Sequence, residues 1–280
     1  MRFIPSSTLT GSSAPEHTRL ETQSHAISGM MNHKVLHAPI QNPFLALDIG
    51  CGTGIITDLL GTKFPSAKVY GLDLSPVPRI HDHPPNVKFL QGNALTQKPH
   101  EWAPAGPEGG FDLIFSRLLV CGMSDWPAFF EAEFNVLRSG GWAEIHDVDW
   151  AWFDKSGKNI SDSWPWWRKV REAGHDKGLD FECASHAASR MRAAGFVDVQ
   201  VSKYRWPFGG QWEATPEMRE MGNYSASAMP ELTWHMIERL MKGKGAGDDE
   251  IGEMRKQMIK DFAPEEGKHW DFYVTIGRKP

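Results

Sequence analysis

Asp48-Ile49-Gly50-Cys51-Gly52-Thr53-Gly54 follows the apolar run Leu45-Ala46-Leu47 and precedes Ile55 to Lys63, a stretch with Ile56, Leu59 and Leu60 on one helical side. The order is strand, glycine turn, helix. In an open parallel sheet such a turn lies at the edge where ligands bind, and glycines there let the backbone approach a ligand with no Cβ in the way. A second acid, Asp73, stands 25 residues after Asp48, at the end of the next strand, Lys68 to Leu72, placed to accept both hydroxyls of a ribose. Loop and acid together predict a nucleoside site. The spacing is GxGxG, not the GxGxxG of dinucleotide folds. Asp48, two residues before the first glycine, would repel a pyrophosphate but suits an amino group. The pattern points to S-adenosylmethionine as the cofactor.

Working outward, Val87 to Leu90 reads as a third strand, Phe111 to Phe115 as a fourth and Trp142 to His146 as a fifth. A helix from Pro127 to Leu137 carries Phe130, Phe134 and Leu137 at i, i+4 and i+7, with Gly140 just beyond it to take a left-handed cap. Strands alternating with helices predict an α/β fold with a doubly wound parallel sheet. Downstream, Ala184 to Ala194 is a helix closed by Gly195, Val197 to Tyr204 a strand, and Trp270 to Arg278 the last strand. Upstream, Arg19 to Met31 forms a short helix that His37-Ala38-Pro39 ends, because proline disfavours helix in the residue before it. Residues 1–15 are polar and proline-punctuated, a flexible N-terminus. Residues 16–280 make a single domain with helical cap insertions at about 150–180 and 205–269. In the second insertion Glu217 to Tyr224, Leu232 to Met241 and Glu250 to Phe262 read as separate helices.

Composition narrows the function classes. The 280 residues carry a formal charge of −5 with no basic block, which removes nucleic acid from the expected partners. Cys51, Cys121 and Cys183 are too few and scattered for a disulfide framework, which indicates a reducing compartment. No run approaches the roughly 18 apolar residues of a membrane span. The expected location is cytoplasmic, with no membrane partner. Twelve Trp against four Tyr is unusual, and eight of those Trp fall between Trp142 and Trp212.

The sequence resembles class I SAM-dependent methyltransferases, and in detail the fungal LaeA-like methyltransferases of secondary metabolism. Beyond the glycine loop, the matching stretches are Asp73-Leu74-Ser75-Pro76-Val77-Pro78, Pro85-Asn86-Val87, Ser124-Asp125-Trp126-Pro127, Gly140-Gly141-Trp142-Ala143-Glu144, Ala194 to Val199 and Ile276 to Pro280. Arg19-Leu20 with Gln23 and His25 resembles the family's entry helix. The resemblance runs from about Arg19 to the C-terminus and implies a Rossmann-like seven-stranded sheet with an antiparallel last strand. Cys51 stands where the subgroup has threonine, and Ser24-His25 where it has paired histidines. The short N-terminus lacks the leader of the regulatory members.

By matching position, the resemblance implies that Asp48, Gly50, Cys51, Gly52 and Gly54 hold the methionine end, Asp73 the ribose and Leu74 one adenine face. Asn93 and Ala94 would meet the adenine edge, with Ser116 and Arg117 near the sulfonium. Arg117 reads equally as a fork for a carboxylate and as an ion-pair partner of Asp48 or Glu144. Methyl transfer needs alignment more than a base, but a phenol or alcohol acceptor gains from one. His146, ending the fifth strand beside Asp147 and Asp149, is the first candidate, and His186 a weaker one. His81-Asp82-His83 has metal-like spacing but no third ligand in view, so no metal is expected.

The Trp-rich insertions carry Trp150, Trp152, Trp164, Trp166, Trp167, Trp206 and Trp212. Most would pack the caps onto the sheet, but Trp150, Trp152, Trp206 and Trp212 are candidate contacts for an apolar or aromatic small-molecule acceptor. The leading expectation is O- or N-methylation of such a molecule in fungal secondary metabolism. The alternatives are a SAM-binding cyclase or dehydratase, and a LaeA-like regulator acting through partners. A nicotinamide enzyme is the remote fourth.

Overall fold

Leu45–Ile49 (β1) is buried at every position, as befits a strand flanked on both sides and covered on both faces. It pairs in parallel with Lys68–Asp73 (β2) and with Phe111–Arg117 (β4). The computed structural model describes residues 14–97 and 110–280. In it the sheet extends through Val87–Gln91 (β3) beside β2 and Leu137–Val148 (β5) beside β4. His269–Arg278 (β7) runs antiparallel to β5 and to Val197–Pro207 (β6), giving the order β3-β2-β1-β4-β5-β7-β6. This is the expected doubly wound, Rossmann-like α/β sheet of seven strands with its last strand antiparallel.

The helices are Ala14–Met30 (α1), Ile55–Lys63 (α2), Trp126–Val136 (α3), Pro165–His175 (α4), Cys183–Ala193 (α5), Pro216–Gly243 (α6) and Asp248–Asp261 (α7). Asp125 caps α3, accepting from Ala128 N at 3.1 Å. Helix α2 packs on β1, β2 and β3, and α5 on β5, β6 and β7, while α6 reaches β6, α1 and α4. Helices α1 and α6 pack against each other and are joined by the hydrogen bond from Arg19 Nη1 to Tyr224 OH. Among the described residues no helix is long and apolar enough to cross a membrane.

Several local expectations change. Residues 1–13 of the expected flexible terminus lie outside the described residues, and Ala14 already begins α1. That helix stops at Met30, within one residue of the expected end, where Asn32 (φ 52°) and His33 (φ 58°) turn left-handed. Gly140 does not cap α3. The helix ends at Val136 and β5 begins at Leu137, and Gly140 (φ 78°) lies where the β4–β5 register jumps from Phe111↔Leu137 to Leu113↔Trp142. Its left-handed backbone takes up a bulge within the strand. The expected break between two helices after Tyr224 is absent: α6 runs 28 residues straight through Pro230. Proline deletes one helical hydrogen bond, but buried Met221, Tyr224 and Met229 before it and Trp234, Ile237 and Leu240 after it hold both halves in one helix.

Candidate active site

The glycine loop leaves β1 with Gly50 at φ 73°, Gly52 at 56° and Gly54 at 86°, a run of left-handed backbone that side chains resist. The three glycines do different work. A Cβ on Gly50 would come within 2.5 Å of Leu119 Cδ2, so Gly50 lets the segment after β4 close onto the loop. A Cβ on Gly54 would strike Phe89 at 2.6 Å, which makes Gly54 the packing contact between α2 and β3. Gly52 faces open space, its nearest neighbour being Leu20 Cδ1 at 4.0 Å, and it lines a cavity.

That cavity is also lined by Asp48, Gly50, Cys51, Asp73, Leu74, Ala94 and Arg117. Asp73 accepts hydrogen bonds from Gly52 N at 3.0 Å and Ser75 N at 2.9 Å, one on each carboxylate oxygen. Each oxygen keeps a lone pair for a further donor. Asp48 accepts from Thr57 Oγ1 at 2.7 Å, and burial raises its carboxyl to about 7 against the opposing pull of Thr57 and Arg117. Arg117 makes neither ion pair considered for it. Its Nη2 donates to Ser24 Oγ at 2.8 Å, and burial brings its guanidinium down to about 10 while Asp48 and Glu21 act in the other direction.

The far wall is apolar. Trp150, Trp206, Trp270, Met229, Leu232 and Met236 line the same cavity. Trp206 Nε1 donates to Ser225 Oγ at 2.7 Å, which fixes its ring between β6 and α6. Helix α1 closes one side with Arg19, Leu20 and Gln23. Arg19 donates to Glu16 and, at 3.0 Å, to Tyr224 OH of α6, so a polar clasp joins the two helices over the cavity.

The sequence profile of the methyltransferase-domain family matches residues 33–201, well over half of the chain. The chain belongs to the methyltransferase-domain family. Methyltransferase pytC of Aspergillus terreus is 27% identical over 282 aligned residues, covering 95% of this chain and 81% of that protein. Methyltransferase str2 of Strobilurus tenacellus is 29% identical over 49% of this chain and 47% of its own. The secondary metabolism regulator laeA of Coprinopsis cinerea is 29% identical over 57% of this chain and 40% of its own. In fold, the chain is similar to a phosphoethanolamine N-methyltransferase 2 of Haemonchus contortus solved with S-adenosyl-L-methionine, with a TM-score of 0.53, 16% identity, and coverage of 97% of this chain and 58% of that one.

The protein is thus a SAM-dependent methyltransferase with S-adenosylmethionine as its cofactor. The cavity suits that molecule. The space above Gly52 would be filled by any Cβ, Asp73 offers lone pairs at one end, and the buried acid Asp48 offers a partner for an ammonium.

Other candidate residues of the methyltransferase stand elsewhere. His146 does not end β5, which continues to Val148, and it is Val148 that reaches the cavity. The imidazole is fully buried, with Nε2 donating to Glu144 Oε1 at 2.6 Å and its ring edge-on to Phe115. Burial pushes its pKa down against the pull of Glu144. A general base in this place has no access to an acceptor. His186 lies on the exposed side of α5 and pairs with Asp180 at 2.9 Å. Ser116 is buried and outside the lining, since alternation along β4 turns it away from the face that Arg117 presents. Asn93 spends its Oδ1 on Leu95 N and Thr96 N at 2.9 and 3.2 Å, closing the turn after β3, so Gly92 and Ala94 line the cavity in its stead. Trp152 is 0% exposed and packed among Trp164, Trp167, Trp270 and Phe262, whereas Trp212 is 43% exposed and away from the cavity.

Sequence reasoning missed Trp270 and the α6 residues Met229, Leu232 and Met236. The last three had a usable signal, since Met229, Leu232 and Met236 follow a 3, 4 spacing on one helical face, but reading a break near Pro230 concealed it. The third partner for His81 and His83 was also missed. Asp58 of α2 contacts both.

Proposed function

We propose that this methyltransferase transfers a methyl group from S-adenosylmethionine to oxygen or nitrogen of a bulky apolar or aromatic small molecule, in fungal secondary metabolism. The observation that carries this reading is the continuity of one cavity from Asp73 and the glycine loop to the ring wall of Trp150, Trp206 and Trp270. In this assignment Asp73 takes the ribose hydroxyls, Leu74 and Ala94 border the adenine, and Asp48 takes the ammonium. Arg117, held by Ser24, takes the carboxylate as a planar two-pronged donor. The cofactor supplies a methyl carbon already activated by positive sulfur. The protein's own part is to align the acceptor and to exclude water.

Trp and Met side chains suit that part, because they offer wide apolar contact and adapt to irregular shapes. Cys121 lines the cavity as a neutral thiol, its pKa raised to about 12 by burial. The segments between β5 and α5 and between β6 and β7 act, in this reading, as caps of a single domain. The second of them meets α1 through the Arg19–Tyr224 contact beside the cavity.

The test is incubation with methyl-labelled S-adenosylmethionine and a panel of aromatic and isoprenoid phenols, alcohols and amines. Label in an apolar acceptor is the expected result. Conversion of an acceptor without label transfer assigns a non-methylating reaction instead, and sinks this reading.

A further inference from the structure

His81 and His83 lie in the connection between β2 and β3, outside the lining of the cofactor cavity. Their Nδ1 atoms converge on the same oxygen, Asp58 Oδ2, at 3.0 and 2.9 Å, and the two rings meet edge to face with centroids 5.0 Å apart. Asp58 stands in the first turn of α2, directly after the glycine loop, and its backbone N–H donates to Gly54 O at 2.9 Å. All three ligand atoms lie within 4.8 Å of one another. Donors bound at about 2.0–2.1 Å in a tetrahedral shell stand about 3.3 Å apart, close to the two nitrogen–oxygen separations of 3.0 and 2.9 Å, so the cluster needs only modest movement to surround one ion. The side chains are 30%, 26% and 15% exposed for His81, His83 and Asp58, which leaves solvent a path to the cluster. His81 Nε2 has no hydrogen-bond partner and faces Glu21 Oε1 at 4.0 Å.

The other group of this kind, His37, Glu144 and His146, is committed differently. Glu144 already accepts from the backbone N–H groups of His37 and Ala38, and His37 Nε2 is bonded to Tyr204 OH at 2.7 Å. His146 Nδ1 has no hydrogen-bond partner, but the three side chains are sealed in the core, away from solvent.

We propose that Asp58, His81 and His83 form a site for one divalent transition-metal ion of the zinc class, with water completing the shell. Two imidazoles and one carboxylate are a ligand set that such ions favour. On binding, each Nδ1 gives its lone pair to the metal: a neutral ring carries its proton on Nε2 instead, and a doubly protonated ring releases its Nδ1 proton to solvent. The ion fastens the β2–β3 connection, which carries the cavity residues Ser75, Pro76 and Pro78, to the first turn of α2.

The experiment uses untagged, chelator-treated full chain titrated calorimetrically with zinc chloride, alongside Asp58→Asn, His83→Ala and the control His186→Ala. The expected result is saturable binding of one ion per chain, weakened at least about tenfold by Asp58→Asn and His83→Ala and unchanged by His186→Ala. Cobalt(II) added to the wild-type chain provides a reading that needs no variant to fold, since a nitrogen and oxygen shell of low coordination gives visible absorption that hexaaquo cobalt lacks. Absence of saturable zinc binding, wild-type affinity in both site variants, or an aquo-like cobalt spectrum overturns the proposal. None of these readouts depends on methyl transfer, so the site stands or falls apart from the proposed function.

Discussion

Asp48 is buried and Asp73 half-buried beside the glycine loop, and their surroundings differ. Asp73 is oriented by two backbone N–H donors, an arrangement that leaves its free lone pairs aimed at a ligand. Replacing it by Ala removes charge-assisted hydrogen bonds each worth about 1.5–3 kcal/mol. The expected outcome for Asp73→Ala is S-adenosylmethionine affinity lower by at least about tenfold with an unchanged circular dichroism spectrum, and unchanged affinity by calorimetry refutes the ribose role. Asp48 has its carboxyl raised to about 7 by burial. A group with a raised folded-state pKa contributes stability that is present below its unfolded value and lost as pH rises through about 7. An ammonium partner has the opposite preference, since it needs the ionised acid. Cofactor affinity should therefore fall as pH is lowered through about 7, by up to about tenfold per pH unit, and Asp48→Asn should flatten that profile in a calorimetric series.

At the scale of elements, Glu144 holds three of them together. Its carboxylate on β5 receives His146 Nε2 from the same strand and the N–H groups of His37 and Ala38 from the connection before β1, and His37 passes the contact to Tyr204 on β6. Burial opposes the charge, but the hydrogen bonds from His146 and His37 outweigh it and bring the carboxyl down to about 2. For a lowered acid the sign is reversed: its stability is present above the ordinary glutamate value and lost as pH falls through about 2. Glu144→Gln should cost about 1.5–3 kcal/mol at neutral pH, measured by urea unfolding, and should reduce the loss of stability seen on acidification. The strands and most helices were legible because their apolar residues follow periods of 2 and 3.6. The bulge at Gly140 and the continuity of α6 were not, because each depends on a partner distant in sequence. Pro230 reads as a breaker locally, and it is the burial of Trp234, Ile237 and Leu240 that carries the helix past it.

For the molecule as a whole, the tryptophans fall into three settings that composition merges. Trp152, Trp166 and Trp167 form a buried aromatic cluster with Phe262, Trp270 joins that cluster to the cavity wall it shares with Trp150 and Trp206, and Trp212 is exposed. Trp152→Ala should lower unfolding stability by about 3–5 kcal/mol, and Trp212→Ala, at an exposed ring, should stay within about 0.5 kcal/mol. Urea unfolding of the pair checks this, and equal effects would refute the division. The candidate site was legible to a similar extent. By itself the sequence determined the alternating sheet, the glycine loop with its two acids and the cofactor class, because a strand, a turn and a helix are local and their residues stand close along the chain. Only the tertiary structure decided that His146 is sealed away, that Asn93 closes a turn, that α6 lines the cavity with Met229, Leu232 and Met236 and that Asp58 joins His81 and His83. Which face a strand residue presents, and what stands opposite it, depend on register and packing between segments far apart in the chain.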